Sequence, residues 1–269
     1  MSYLKGKVVW ITGASSGIGE ALVYEIARKG ARIIISARRK EELERVKGKC
    51  NSMFSSSVEI LPLDLSQANT LHLITEAAIQ IYGQVDVLIN NGGISQRSLA
   101  KETSLEVDRL VMEVDYFGTI SLTKYLLPHF LERRIGHFVT VSSVMGMIGT
   151  PHRSGYAAAK HALHGFFDSL RAELWRESQR IYVTIICPGW IRTQVSVNAL
   201  MGDGSKQNKM DDTTGKGMKP NIFARKMVRA IENKKSEAYI GGTKETMAVY
   251  VKRFFPGMLE RIVRKARVK

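Results

Sequence analysis

The sequence predicts an α/β fold, a parallel sheet doubly wound by helices, on three observations. Short apolar runs alternate with longer amphipathic ones. The short runs are rich in Val and Ile without polar alternation, as strands buried on both faces require. A glycine-rich turn, Gly13, Gly17 and Gly19, joins the first run to the first amphipathic stretch. Together they describe a Rossmann-type, three-layer αβα arrangement in a single domain.

The first strand is "KVVWIT" from Lys7, and a helix follows over about Ile18 to Lys29. The glycines between them permit a tight turn and close approach of the backbone to a pyrophosphate, whose charge the helix N-terminus stabilises. The second strand, "ARIIISA", runs into "RRKEEL". An acid at that strand tip bonds a free ribose 2′-hydroxyl; Arg38 and Arg39 stand there instead and suit a 2′-phosphate. The strands "VEILPLDL" and "VDVLINN" alternate with further helices, and a long helix is expected over about Ser104 to Arg133.

After the strand "GHFVTVSS" comes "SGYAAAKHALHGFF", read as a helix capped by Ser154. Tyr156, Lys160, Leu163, Phe167, Leu170 and Leu174 recur on one face, which places Lys160 in line with core residues. A lysine there either snorkels or has a partner, and the helix alone leaves that open. The last long strand is "IYVTIICPG". Residues 196 to 221 are polar and Gly-rich and read as a mobile lid at the end of the sheet where ligands bind. The organisation expected is residues 1–245 as the dinucleotide-binding and catalytic domain, with the lid at about 195–221, then a basic amphipathic extension over 246–269.

With 269 residues and 44% hydrophobic composition the chain has enough apolar material for a sizeable core. Two cysteines, Cys50 and Cys187, are too few for a disulfide framework or a zinc site of close ligand pairs. His152, His161 and His164 lack a carboxylate or thiolate companion at useful spacing, so no metal is expected. No secretory signal precedes the first strand, and no run of eighteen apolar residues occurs. The expectation is a cytoplasmic protein. Of the net charge of +15, residues 221–269 supply +9, from 13 Lys and Arg against 4 Glu. No nucleic-acid recognition module accompanies it. In the last stretch Met247, Val251, Phe254, Phe255, Met258, Leu259, Ile262, Val263 and Ala266 recur at helical spacing among basic residues, with Pro256 and Gly257 dividing it into two helices. Such a segment fits peripheral contact with an anionic membrane or packing on the body or a sister subunit.

Five motifs in order resemble the short-chain dehydrogenase/reductase family: T-G-x-x-x-G-x-G over Thr12 to Gly19, "NNGG" over Asn90 to Gly93, Ser143, Y-x-x-x-K from Tyr156, and "PGWIRT". "NNGGISQRS" and "FGTISLTKYLLPHF" resemble in particular its member 7 group, whose animal members are membrane-associated. The resemblance implies an NADP(H)-linked oxidoreductase in which Tyr156 is the general acid/base, Lys160 lowers its pKa and bonds the ribose, and Ser143 holds the substrate oxygen. It also implies that Gly13, Ser15, Ser16, Gly17, Ile18, Gly19, Arg38, Arg39, Asp64, Leu65, Asn91, Gly92, Pro188, Gly189, Ile191 and Thr193 bind the cofactor, in a homodimer or homotetramer. Two positions depart from the pattern: Asp115 replaces the usual asparagine of the catalytic set, and Gly92 an alanine. Met145, Met147, Ile148, Trp190, Val195, Leu200 and Met201 near these motifs suggest a lipophilic substrate, of steroid, retinoid or long-chain ketone type. The alternative is a cofactor-binding scaffold without turnover, which Asp115 favours.

Overall fold

The computed structural model describes residues 2–54 and 57–265. Seven strands form one wholly parallel sheet in the order β3-β2-β1-β4-β5-β6-β7. They are β1 (Val8–Thr12), β2 (Arg32–Ser36), β3 (Val58–Ile60), β4 (Val87–Asn90), β5 (Gly136–Val141), β6 (Ile181–Pro188) and β7 (Glu237–Ile240). The helices that wind it are α1 (Gly17–Ala27), α2 (Lys40–Met53), α3 (Leu71–Tyr82), α4 (Leu105–Met112), α5 (Gly118–Arg133) and α6 (Ser154–Glu177). There follow the single turn α7 (Asp212–Gly215), then α8 (Pro220–Glu232), α9 (Thr243–Phe254) and α10 (Pro256–Lys265).

Alternate residues of each strand feed two cores. Val9, Ile11, Ile33, Ile35, Val87 and Ile89 pack under α1, α2 and α8, whereas Trp10, Ile34, Leu88, Phe138 and Ile185 pack against α5 and α6. All of these are fully buried. Strand order reverses between β1 and β4, so the loops leaving those two strands diverge and open a crevice.

Four expectations change. Ser154 does not cap its helix: it is the first helical residue, and Arg153 occupies the cap position. The long helix over Ser104 to Arg133 is two helices joined by a π turn at Glu113–Phe117, where the Gly118 amide reaches back to Glu113 O. The stretch 195–221 is not irregular throughout. It carries α7 and the start of α8, buries Ser196 and Ala199 completely, and is pinned by Leu200 N to Ser95 O and by Arg97 N to Leu200 O, both at 2.8 Å.

The terminal stripe is divided as well. Val249 and Leu259 are buried against Val144, Met145 and Ile148, while Met247, Phe254, Phe255, Met258 and Ile262 are exposed. Ala266 and the residues after it lie outside the described residues. Among the described residues no helix is long and apolar enough to cross a membrane.

Candidate active site

At the strand reversal Asn91 ties the two loops together. Its side-chain amide donates to Thr12 O (3.0 Å) and Gly13 O (3.2 Å), and the amides of Asn91 and Gly92 both donate to Thr12 Oγ1 (3.0 and 2.9 Å). A β-carbon on Gly13 would stand 2.7 Å from Gly92 Cα, and one on Gly92 2.7 Å from Leu65 Cδ1. The Gly13 and Gly92 backbones close up here because neither position carries a side chain, and an alanine at 92 would push the end of the Leu65 side chain aside.

Gly17 has φ +60°, a conformation that favours glycine, and it opens α1. Ser16 in the cap position makes no side-chain bond to the helix, so the first amides of α1 are left for an anion. Beside them a cleft of about 580 Å³, part of it open to solvent, is lined by Ile18, Asn91, Asp115, Ser143, Tyr156, Lys160, Pro188, Gly189, Ile191 and Thr193. The uncapped helix and the close-packed glycine turn fit a dinucleotide pyrophosphate, and the cleft beyond fits its nicotinamide end.

At the tip of β2 both arginines are exposed. Arg39 leans toward the glycine turn, with Nη2 3.5 Å from Ser15 Oγ. Asp64 directs Oδ1 to its own turn, accepting from Ser66 N (3.0 Å) and Ser66 Oγ (2.8 Å).

Lys160 does have a partner. Its Nζ lies 3.1 Å from Asp115 Oδ2, donates to Val141 O at 3.2 Å, and stands 5.6 Å from the centre of the Tyr156 ring. Asp115 is fully buried, and its Oδ1 accepts from Ile94 N at 2.7 Å. Burial pushes the Asp115 carboxyl up from its ordinary range, with the Lys160 ammonium and the Ile94 amide pulling the other way. Burial works most strongly against the ammonium, but the Asp115 carboxylate and the Tyr156 phenol together outweigh it, and Lys160 titrates above an ordinary lysine. Ser143 begins a short turn after β5 and accepts from Met145 N at 3.1 Å.

A second cleft enclosing about 410 Å³, also partly open, is lined by Ser95, Arg97, Ser143, Val144, Met145, Arg153, Tyr156, Gly189, Trp190, Val195 and Thr214. Ser143, Tyr156, Gly189 and Val195 line both clefts, so the two meet at the hydroxyl and the phenol. Of the residues expected to form an apolar wall, Met145, Trp190 and Val195 line this second cleft. Met147, Ile148, Leu200 and Met201 do not.

Arg97, Arg153, Ser95 and Thr214 are additions that sequence reading missed. One signal was available. Arg153 directly precedes a helix, where the peptide dipole disfavours a cation. His164, expected to lack a thiolate or carboxylate companion, has both: β6 brings Cys187 Sγ to 3.6 Å from its Nε2, and β7 brings Glu237 Oε1 to 3.4 Å from its Nδ1. Burial pushes the Cys187 thiol far up, which keeps it a neutral hydrogen-bond donor to Glu237.

Residues 7–202 match the family model for short chain dehydrogenase. The chain belongs to the short-chain dehydrogenase/reductase family. It is 43% identical over 272 residues to a Drosophila melanogaster dehydrogenase/reductase SDR family protein 7-like, covering 99% of this chain and 82% of that one. To the human dehydrogenase/reductase SDR family member 7 it is 41% identical over 256 residues, covering 94% and 75%. Its fold is similar to that of a Burkholderia phymatum short chain dehydrogenase/reductase in complex with NAD (TM-score 0.84, 20% identity, 100% and 98% covered). It is also similar to that of a Thermococcus sibiricus alcohol dehydrogenase complexed with 5-hydroxy-NADP (TM-score 0.76, 24% identity, 89% and 97% covered).

Proposed function

We propose that this oxidoreductase uses NADP(H) to interconvert a carbonyl and a secondary alcohol on a lipophilic substrate. The observation that carries the reading is the meeting of the two clefts at Ser143 and Tyr156, with Lys160 beneath the tyrosine. The bound nicotinamide would supply or accept the hydride. The chain's own part is proton transfer and positioning. Tyr156 gives its phenolic proton to the substrate oxygen in reduction and takes it back in oxidation. The Ser143 hydroxyl donates a second hydrogen bond to that oxygen, holding it toward the phenol. Lys160, kept cationic by Asp115, stabilises the phenolate left behind. Two arginines and no acid at the tip of β2 support a 2′-phosphate, and Arg39 is the better placed of the two because it leans toward Ser15.

The test is NADPH oxidation against a panel of lipophilic ketones and aldehydes with the wild-type protein and Tyr156→Phe. The variant is expected to retain NADPH affinity and lose about 100-fold or more in kcat. Retention of more than about a tenth of wild-type kcat overturns the acid role.

A peripheral membrane contact is the second part of the reading, supported by Phe254, Phe255, Met258 and Ile262 exposed beside Lys252, Arg253 and Arg261 on α9 and α10. Salt-sensitive pelleting with anionic liposomes, lost on exchanging Phe254 and Phe255 for Ser, is the expected result. A protein that stays in the supernatant at low salt but sediments as a dimer or tetramer points to a second copy on that face instead.

A further inference from the structure

The second cleft holds an ionic cluster that proton transfer does not use. Arg97, Arg153 and Asp211 are 8%, 2% and 7% exposed. Asp211 Oδ2 accepts from Arg97 Nε at 2.9 Å and from Arg153 Nη2 at 3.2 Å, while its Oδ1 accepts from Gln207 Nε2 at 2.8 Å. One carboxylate thus serves two guanidinium groups, and the cluster keeps one positive charge in excess. Asp108 lies behind Gly155 and Glu245 behind Gly189, and neither lines the cleft.

The two arginines are used differently. Arg97 directs Nη1 to Ser95 Oγ (2.6 Å) and Gln96 O (2.9 Å). Among the described residues neither Arg153 Nη1 nor Thr214 Oγ1, both buried atoms of side chains that line the cleft, has a hydrogen-bond partner. A buried guanidinium N–H without an acceptor is costly, so the fold does not keep it for stability. Its plane is fixed by Trp190, whose ring centre lies 4.9 Å from Cζ. It also stands at the N-terminus of the 24-residue helix α6, the end of the peptide dipole that attracts anions. Burial and the neighbouring Arg97 pull its pKa down to about 10, which leaves it charged at neutral pH.

We infer that the substrate carries a carboxylate or similar oxyanion within a few bonds of its reacting carbonyl, held by Arg153 and Thr214, whose side chains both line the cleft and both keep an unused hydrogen-bonding atom. The short span follows from position: Arg153 caps the helix three residues before Tyr156, and both side chains line the same cleft. Val144, Met145 and Val195 receive the apolar remainder. The substrate class is therefore an amphiphilic oxo acid rather than a neutral ketone. The word substrate rests on the oxidoreductase reading above, but the anion site does not.

Two measurements test it. In the first, NADPH-linked kcat/KM is compared for aliphatic oxo acids and their methyl esters. The wild-type protein is expected to favour the acid by about tenfold or more, expressed in KM, and Arg153→Met to bring the ratio near one, with Arg153→Lys between. In the second, octanoate and octanol are titrated against tryptophan emission, with and without NADP⁺. Octanoate should quench saturably, octanol should not, and the signal should vanish in Trp190→Phe and in Arg153→Met.

Esters reduced as well as acids, with octanoate bound no better than octanol, overturn the inference and leave the oxidoreductase reading standing. Arg153-dependent octanoate binding with no carbonyl compound turned over does the reverse. The wild-type comparisons decide even if Arg153→Met does not fold.

Discussion

Two buried ionic clusters flank Ser143 and Tyr156, and they are built on opposite principles. At the first cleft Asp115 and Lys160 form a neutral pair, one acid to one base: Asp115 Oδ1 and Lys160 Nζ each have a backbone hydrogen bond, and Asp115 Oδ2 meets the ammonium at 3.1 Å as an ion pair only. At the second cleft Asp211 is shared by Arg97 and Arg153, and among the described residues Arg153 Nη1 has no acceptor. A neutral pair fixes where a charge sits. An open cluster presents a charge to something that arrives. The two sets meet on α6, whose cap position supplies Arg153 and whose second turn supplies Lys160.

The largest effect on stability is expected for Asp211→Ala, which strands two buried cations. A loss of about 3–5 kcal/mol in urea unfolding is expected, and a change below about 1 kcal/mol would mean the cluster is hydrated rather than buried. Lys160→Met strands only Asp115, whose carboxyl can take up a proton, so about 2–3 kcal/mol is expected. Adding Asp115→Asn to that variant should recover part of the loss, a coupling that a double-mutant cycle reads directly.

Asp115→Asn alone sharpens the contrast through pH. The folded carboxyl titrates above its ordinary value of 3.8, so the native state holds the extra proton just above that pH. Stability contributed by this group is present below 3.8 and is lost as pH rises through the raised pKa. The substitution should flatten that fall in thermal melts from acid to neutral pH. It should also move the alkaline limb of kcat/KM to lower pH, because the carboxylate that holds Lys160 charged is gone. Identical profiles would place Asp115 outside the proton path. The smallest effect on stability is expected for Arg39→Asp, outside both clusters: unfolding within about 0.5 kcal/mol of wild type, with kcat/KM shifted from NADPH toward NADH and Arg38→Asp shifting it less.

The features legible in the sequence were those with a local or periodic signature. The strands from "KVVWIT" to "IYVTIICPG" announced themselves because parallel strands buried on both faces are continuous apolar runs. The glycine turn was legible because backbone crowding leaves few alternatives there. Lys160 stood out as an ammonium on an apolar stripe, and its partner could be named only through the family resemblance. The substrate-side cluster left no comparable trace. Asp211 lies 114 residues from Arg97 and 58 from Arg153, and ion pairs across such distances have no period. Residues 195–221 read as irregular throughout because polar, Gly-rich composition does not distinguish a free loop from one tied down by backbone bonds to Ser95 and Arg97. The π turn was invisible for another reason: an i→i+5 bond differs from its neighbours by one added residue, not by residue type.

That added residue has a consequence for insertion and deletion. Removing one position from Glu113–Phe117 would let α4 and α5 run on as a single regular helix, each half keeping its own packed face, α4 toward α6 and α5 toward α3. What the deletion would forfeit is the carboxylate beside Lys160. The π turn therefore separates two demands that a continuous helix would force together, the spacing that suits the scaffold and the spacing that suits the chemistry. A one-residue deletion there is expected to be better tolerated by the fold than by the site, the opposite of what a deletion inside a packed helix ordinarily does.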